Sequence, residues 1–295
     1  MISVGASTYS FNEEIDFDLA GSFTLSVIAI DTSGNVGRSD LSVNVEEALK
    51  FDRMYLADVG SDSELNSDAF GVPVRINGFT HPDSAGIIFE ALYYNTSPNT
   101  EIRFIPQKSS FGPFTFGAGA NEGELEIGSD NTVNPIVLSD IGYHRIMVNL
   151  STFSYTMETY TPSDTPFDEI FLMGTGVRVN GASTCVNNND ASELCWNFAS
   201  GKPLTKASSN PYLFTGTVEL FDFDPEGDGN NGFILGANPN GWSPFWRFDQ
   251  GDELDLEPEF TVPNDGGNYI FSAARYGTYR FEFDTHLNQA KLLAQ

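Results

Sequence analysis

One internal repeat constrains this chain more than any other feature. Phe51-Asp52-Arg53-Met54-Tyr55-Leu56-Ala57-Asp58-Val59-Gly60 matches Phe167-Asp168-Glu169-Ile170-Phe171-Leu172-Met173-Gly174-Thr175-Gly176. Phe111-Gly112-Pro113-Phe114 matches Trp242-Ser243-Pro244-Phe245, and Gly142 to Asn149 matches Gly277 to Asp284. The offsets rise from 116 to 131 to 135, as they do when one fold occurs twice with longer loops in the second copy. Each copy must therefore close its own core. In the second copy the period-two runs are Glu169–Met173, Tyr212–Leu220, Gly232–Gly236, Asn268–Phe271 and Gly277–Asp284, separated by loops rich in Gly, Asn, Pro and Asp. Such a string of short strands predicts an all-β protein of tandem β-sandwiches, with modules at 51–160 and 167–295. The connector Tyr160-Thr161-Pro162-Ser163-Asp164-Thr165-Pro166 reads as a short, stiff linker.

Composition narrows the partners. Lys+Arg 14 against Asp+Glu 41 gives a net charge of −27, which argues against nucleic acid and anionic lipid. With 40% hydrophobic and 13% aromatic residues, the chain has the means to fill cores and is not a disordered acidic segment.

Residues 1–48 differ from the repeat. Ser22 to Ile30 and Leu41 to Val45 alternate around the turn Asp31-Thr32-Ser33-Gly34-Asn35, which predicts a β-hairpin. The run Gly21 to Gly37 resembles the last hairpin of bacterial immunoglobulin-like domains. These 48 residues make about half of such a sandwich, which normally takes about 100. A half sandwich leaves sheet edges open. The expectation is a partial immunoglobulin-like domain, either truncated at its start or completed by another chain.

The copies themselves resemble the repeated β-sandwich modules of SusE- and SusF-type outer-membrane proteins of Bacteroidetes starch-utilisation systems. The matching segments are Ile170-Phe171-Leu172-Met173-Gly174, Phe214-Thr215-Gly216-Thr217-Val218, Trp242-Ser243-Pro244-Phe245-Trp246 and Gly277 to Asp284. The resemblance covers about 51–295 and rests on the combination. It implies starch-binding-module-like sandwiches in a non-catalytic, cell-surface lipoprotein that holds a poly- or oligosaccharide beside a SusC/SusD-like importer. Such proteins carry an export signal ending at a lipidated Cys; neither is visible here, so either the protein is not exported or, as the resemblance favours, both lie upstream of Met1. No apolar run is long enough to span a membrane as a helix.

Sugar rings stack their C–H faces on flat aromatics, and their hydroxyls need fixed polar partners. All three tryptophans, Trp196, Trp242 and Trp246, lie in the second copy, and Asn238 to Arg247 mixes rings with Asn and Arg in a loop. The family's pattern of an early-loop Trp, a Lys and a later ring falls best on Trp196, Lys206 and Trp242, with Trp246 and Arg247 beside them. The opposing expectation is that these tryptophans are core, because Trp is highly buried on average. Phe111 at the Trp242 position keeps that alternative open. In the first copy Tyr93, Tyr94, Lys108 and Phe111 would make a weaker second platform, or end a strand with buried rings.

Cys185 and Cys195 enclose a polar loop, which reads as a disulfide staple in an oxidising compartment, against two unrelated thiols. No metal-ligand spacing involves them. Asp222, Asp224, Glu226 and Asp228 alternate as Ca²⁺ ligands do, but Phe233 stands where an EF-hand needs Glu, so a solvated loop is favoured and no cofactor is required. His81, His144 and His286 sit in unrelated contexts, and no nucleophile elbow, zinc helix or phosphate loop occurs. The expected function is glycan capture without catalysis. The alternative is an accessory subunit that docks on an outer-membrane transporter or adhesin complex and has no glycan site of its own.

Overall fold

The computed structural model describes residues 21–45, 49–66, 75–78, 84–184, 195–196, 201–221, 232–241, 244–246, 269–271 and 273–295. The chain is nearly all β and falls into two compact units, Met1–Leu49 and Lys50–Gln295.

In the first unit, β1 (Gly21–Ile30) and β2 (Val36–Val45) form an antiparallel hairpin. β1 starts one residue before its alternating segment, with Gly21 opposite Val45, and β2 starts five residues before its own, because Val36 to Asp40 also pair with Ser26 to Ile30. The turn is built by Asp31. Its Oδ1 accepts from the Ser33 and Asn35 amides, its Oδ2 accepts from Asn35 Nδ2, and Gly34 supplies the positive φ of +84°. Those hydrogen bonds hold the Asp31 carboxyl below the usual carboxylate range. Phe23, Leu25, Val27, Leu41 and Val43 share one face of the hairpin. Leu41 is 61% exposed and Val27 44%, so this face is open to solvent.

The second unit holds the two copies. The first contains β3 (Met54–Ala57), β4 (Arg75–Gly78), β5 (Ile88–Asn95), β6 (Thr100–Ile105), β7 (Thr115–Ala118), β8 (Leu125–Gly128), β9 (Ile136–Leu138), β10 (Gly142–Asn149) and β11 (Ser154–Tyr160), with one helical turn, α1 (Asp62–Leu65). Their order is β11-β10-β5-β4-β3-β6-β7-β8, with β9 also on β6. The second copy contains β12 (Phe171–Met173), β13 (Val177–Val179), β14 (Ala182–Ser183), β15 (Lys202–Pro203), β16 (Thr205–Lys206), β17 (Leu213–Leu220), β18 (Gly232–Gly236), β19 (Phe245–Trp246), β20 (Tyr269–Ile270), β21 (Gly277–Asp284) and β22 (Gln289–Ala294). These form one sheet ordered β15-β12-β18-β19, with β20 on β18, and another ordered β14-β13-β17-β21-β22, with β16 on β17.

The pairing scheme is the same in both copies. The order β3-β6-β7 recurs as β12-β18-β19, and β5-β10-β11 as β17-β21-β22. Leu56 pairs with Phe104 and Leu172 with Leu235, so the offset on this strand (235 − 104) is 131, equal to that of Phe111 and Trp242. In the first copy β4 crosses between the sheets, pairing β3 through Arg75 and Ile76 and β5 through Asn77 and Gly78. In the second copy this crossing strand is split. β15 pairs β12, β16 pairs β17, and Leu204 between them is buried in the core. Among the described residues β13 and β14 have no counterpart in the first copy.

Alternation decides which side chains enter the second core. Leu172, Val218, Leu220, Phe233, Leu235, Trp246, Phe281 and Phe283 converge between its two sheets. The strands β3 and β12 are buried on both faces. Their outward residues need cover, and smaller clusters supply it: Tyr55, Ala57, Ile105, Leu65 and Phe111 in the first copy, and Phe171, Met173 and Ile234 under Trp196 and Phe245 in the second. Gly174 (φ +145°) follows β12 where the chain passes another strand, and a Cβ there would lie 2.2 Å from the Gly232 carbonyl oxygen. Gly174→Ala is expected to lower stability by at least about 1 kcal/mol, since both the backbone angle and the clash oppose it. Urea unfolding monitored by far-UV circular dichroism checks this.

The copies meet across a polar, aromatic junction. Lys291 Nζ lies 2.5 Å from Asp58 Oδ2, which also accepts from Tyr93 Oη at 2.8 Å. Burial pushes the Asp58 carboxyl up, but the Lys291 charge and the hydrogen bonds from Lys291 and Tyr93 outweigh it and hold the group below its ordinary range. A carboxyl depressed on folding stabilises the fold above its unfolded pKa of about 3.9, and this contribution is lost as pH falls through the folded value. In Lys291→Met burial is opposed only by the hydrogen bonds from Tyr93 and the backbone, so the Asp58 carboxyl moves up and the stability it contributes above about pH 4 shrinks. Subtracting the variant's stability from the wild type's at each pH between 2 and 6 should give a difference that grows with pH; a flat difference would show that the pair does not couple to folding.

Candidate functional site

A cleft of about 340 Å³ opens on the first copy, lined by Ser61, Asp62, Ser63, Phe111, Gly112, Asp130 and Asn131. Three loops build it. The first leaves β3 and turns into α1, where Ser61 is the N-cap and its hydroxyl bonds Glu64 Oε2 at 2.7 Å. Leu65 is fully buried in the outer cluster and fixes this turn to β3, which turns Asp62 and Ser63 toward the cleft. The second loop, 107–115, is folded on itself by Gln107, which donates to the Ser110 and Phe114 carbonyls, and by Thr115 Oγ1, which donates to the Phe111 carbonyl. The third loop joins β8 to β9 and carries Asp130 and Asn131.

Side chains tie the loops to one another. The Phe111 amide donates to Asp62 Oδ1 at 2.9 Å, Asn66 Nδ2 to the Ser109 carbonyl at 3.0 Å, and Asn131 Nδ2 to the Gly60 carbonyl at 2.7 Å. Gly112 approaches the third loop so closely that a Cβ would stand 2.8 Å from the Ser129 carbonyl oxygen. The cleft is thus preorganised. Asp130 Oδ1 accepts from the Thr132 hydroxyl and amide, which hold its carboxyl below the usual range and so ionised at neutral pH. Among the described residues neither Asp62 Oδ2 nor Asp130 Oδ2 accepts a hydrogen bond, and the Ser61 and Ser63 hydroxyls, 3.1 Å apart, line the same cleft. Among the described residues no Lys, Arg or His lines the cleft. A site of this kind accepts hydrogen bonds from neutral hydroxyl donors and repels anions. Among the described residues no group of three or more His, Cys, Asp or Glu is placed to hold a metal ion.

The tryptophans fare differently from one another. Trp246 is 1% exposed, its ring meets Phe167 and Phe283 edge-on, and its Nε1 donates to Asn288 Oδ1 at 2.9 Å. The expectation of a sugar contact is corrected there: the residue pairs with Leu235 across β18–β19 and points into the core with it. Trp196 is half-buried over Phe171, Met173 and Ile234 and caps the outer cluster, the position Leu65 holds in the first copy. Lys206 donates to the Phe167 carbonyl and lies 5.7 Å from the Phe214 ring. Phe167 and Phe214 belong to the inner core and Trp196 to the outer cluster, so these two predicted partners are not brought together. Trp242 and Arg247 lie outside the described residues, as do Asp222, Asp224, Glu226, Asp228, His81 and Cys185. Cys195 is fully buried and disulfide-bonded.

The second platform is also corrected. Tyr93 is 6% exposed with its hydroxyl on Asp58, and Phe111 is 1% exposed with its ring in the outer cluster. Tyr94 is half-buried with its ring 4.8 Å from that of Tyr143, and Lys108 is half-buried on the second cleft loop. Of the four, Phe111 alone lines the cleft. Sequence reasoning missed Ser61, Asp62, Ser63, Asp130 and Asn131. The available signal was position: Ser61 directly follows the repeated block that ends at Gly60, and Ser61-Asp62-Ser63-Glu64 is a capping sequence.

No known family's model matches the chain, and no curated protein is significantly similar to it. A solved structure of SusF from Bacteroides thetaiotaomicron aligns with 94% of this chain at 13% identity and a TM-score of 0.29. This chain spans 58% of that structure's length. A likeness so slight defines neither fold nor function.

The different burial of the tryptophans is testable. Trp246→Ala should destabilise by about 3–5 kcal/mol, as removal of a core indole does, and Trp196→Ala by clearly less. Denaturant midpoints of the two variants against wild type provide the measurement.

Proposed function

We propose that this chain is a non-catalytic glycan-binding protein of the cell surface, which holds a poly- or oligosaccharide near a SusC/SusD-like outer-membrane importer. The observation that carries the binding role is the cleft of the first copy, where loops locked to one another present carboxylate and hydroxyl oxygens and, among the described residues, no cation. Affinity comes from sugar hydroxyls donating to Asp62, Asp130 and the serines. The preformed cleft keeps the ordering cost of binding low. The half-buried Trp196 offers a separate stacking surface on the second copy. Export, a lipid anchor and the importer follow from the sequence resemblance to SusE- and SusF-type modules. The division of residues 50–295 into modules at 51–160 and 167–295 belongs to the same proposal.

Calorimetry of the full chain against a panel of neutral oligosaccharides tests it. Asp130→Asn and Ser63→Ala should each weaken binding of the best ligand, Asp130→Asn by about tenfold or more, because a hydrogen bond to a charged group contributes about 1.5–3 kcal/mol. Unchanged affinity in both variants would remove the cleft from the proposal. The ligand should be recovered intact, and new reducing ends after incubation would overturn the non-catalytic role.

A second reading, an accessory subunit docking on a transporter or adhesin complex, draws on the exposed apolar face of the β1–β2 hairpin. It predicts no glycan binding by any variant.

A further inference from the structure

The junction between the copies does more than join them. Tyr143, on β10 of the first copy, is 6% exposed, and its hydroxyl enters the second copy. There it donates to Asp284 Oδ2 at 2.7 Å and accepts from Asn210 Nδ2 at 2.9 Å. Its ring meets Tyr94 and Tyr160 of its own copy and Tyr212 and His286 of the other, all with centroids within 6.1 Å. A second attachment is His286, whose Nε2 lies 3.0 Å from the Tyr160 hydroxyl and whose Nδ1 lies 2.7 Å from Asp164 Oδ1 in the connector. A third runs along β22, where Gln289 reaches the Leu92 carbonyl and Lys291 reaches Asp58. Three separated attachments fix rotation as well as distance. They all spring from the β21–β22 hairpin, whose turn is held by Asp284 Oδ1 accepting from the His286 and Leu287 amides. The same turn is wired to the second core, because Asn288 Oδ1 accepts from Trp246 Nε1.

Covalently linked modules usually move against one another when their interface is small and polar. Here parting the copies would expose four tyrosine rings and undo buried hydrogen bonds whose partners come from both sides. We propose that the Tyr143–Asp284–Asn210 knot, with His286 and Lys291, is a lock that holds the described strands of the two copies as one body, so that the copies unfold as a single cooperative unit. This inference does not depend on what the cleft binds.

All three tryptophans lie in the second copy, so their fluorescence reports that copy alone. Ile102→Val places a mild defect in the first core, on β6, four strands from β10 in the sheet order. Urea unfolding of the full chain would be followed by tryptophan fluorescence, with hydrogen exchange in the first copy confirming that Ile102→Val loosens it. In the otherwise wild-type chain, Ile102→Val should lower the tryptophan midpoint. In a Tyr143→Phe, Lys291→Met background that shift should disappear; if the double variant does not fold, Lys291→Met alone should shrink it. A tryptophan midpoint that ignores Ile102→Val in the wild-type background would overturn the lock. So would a shift of equal size with the lock residues replaced.

Discussion

A strand buried on both faces cannot be stabilised by one core. β3 and β12 open their copies with apolar residues on both sides, and each therefore needs a second layer outside the sandwich. The outer layer of the first copy is made by α1 and the 107–115 loop, held down through Leu65 and Phe111. The candidate cleft is the seam between those elements and the β8–β9 loop. Its position follows from the need to cover Tyr55 and Ala57, and its rigidity follows from the anchors that do the covering. In the second copy Trp196 and Phe245 answer the same need.

The architecture was largely legible in the sequence, because alternation and repetition are written in apolar residues. Gly232–Gly236 and Gly277–Asp284 have the bounds their patterns suggested, and the monotonic offsets anticipated the recurring pairings. The chemistry was far less legible. A tryptophan contributes the same surface to a core as to a sugar platform, and Trp246 shows that loop-like neighbours do not decide between them. The cleft residues are Ser, Asp and Asn in turns, where such residues are ordinary. What distinguishes them is that three loops distant in sequence bond to one another, as Asp62 does to Phe111 and Asn131 to Gly60. Tyr143 and Asp284 were equally silent, since each sits at the end of a repeated strand where its role lies in the other copy.

Charge takes on local meaning in this setting. Burial moves the Asp284 carboxyl up, against hydrogen bonds from the Leu287 and His286 amides and the Tyr143 hydroxyl, while Asp58 across the junction is held low mainly by Lys291. The two carboxyls of one junction therefore respond to acid in opposite directions. In the cleft, by contrast, Asp130 stays ionised because a neighbouring turn supplies its donors. Within a chain of net charge −27, these few carboxylates are placed by structure.

The crossing strand also decides where the chain tolerates added length. Because β4, or β15 with β16, belongs to both sheets, it anchors the frame at the point where the chain returns from its first long excursion. Residues added before that point leave every later pairing in place. Among the described residues the second copy alone carries β13 and β14 there, and its sequence the cysteine loop, while the order of the strands that follow is the same. That excursion is where the two copies differ most while sharing a strand order, and where a foreign loop could be grafted with the least disturbance.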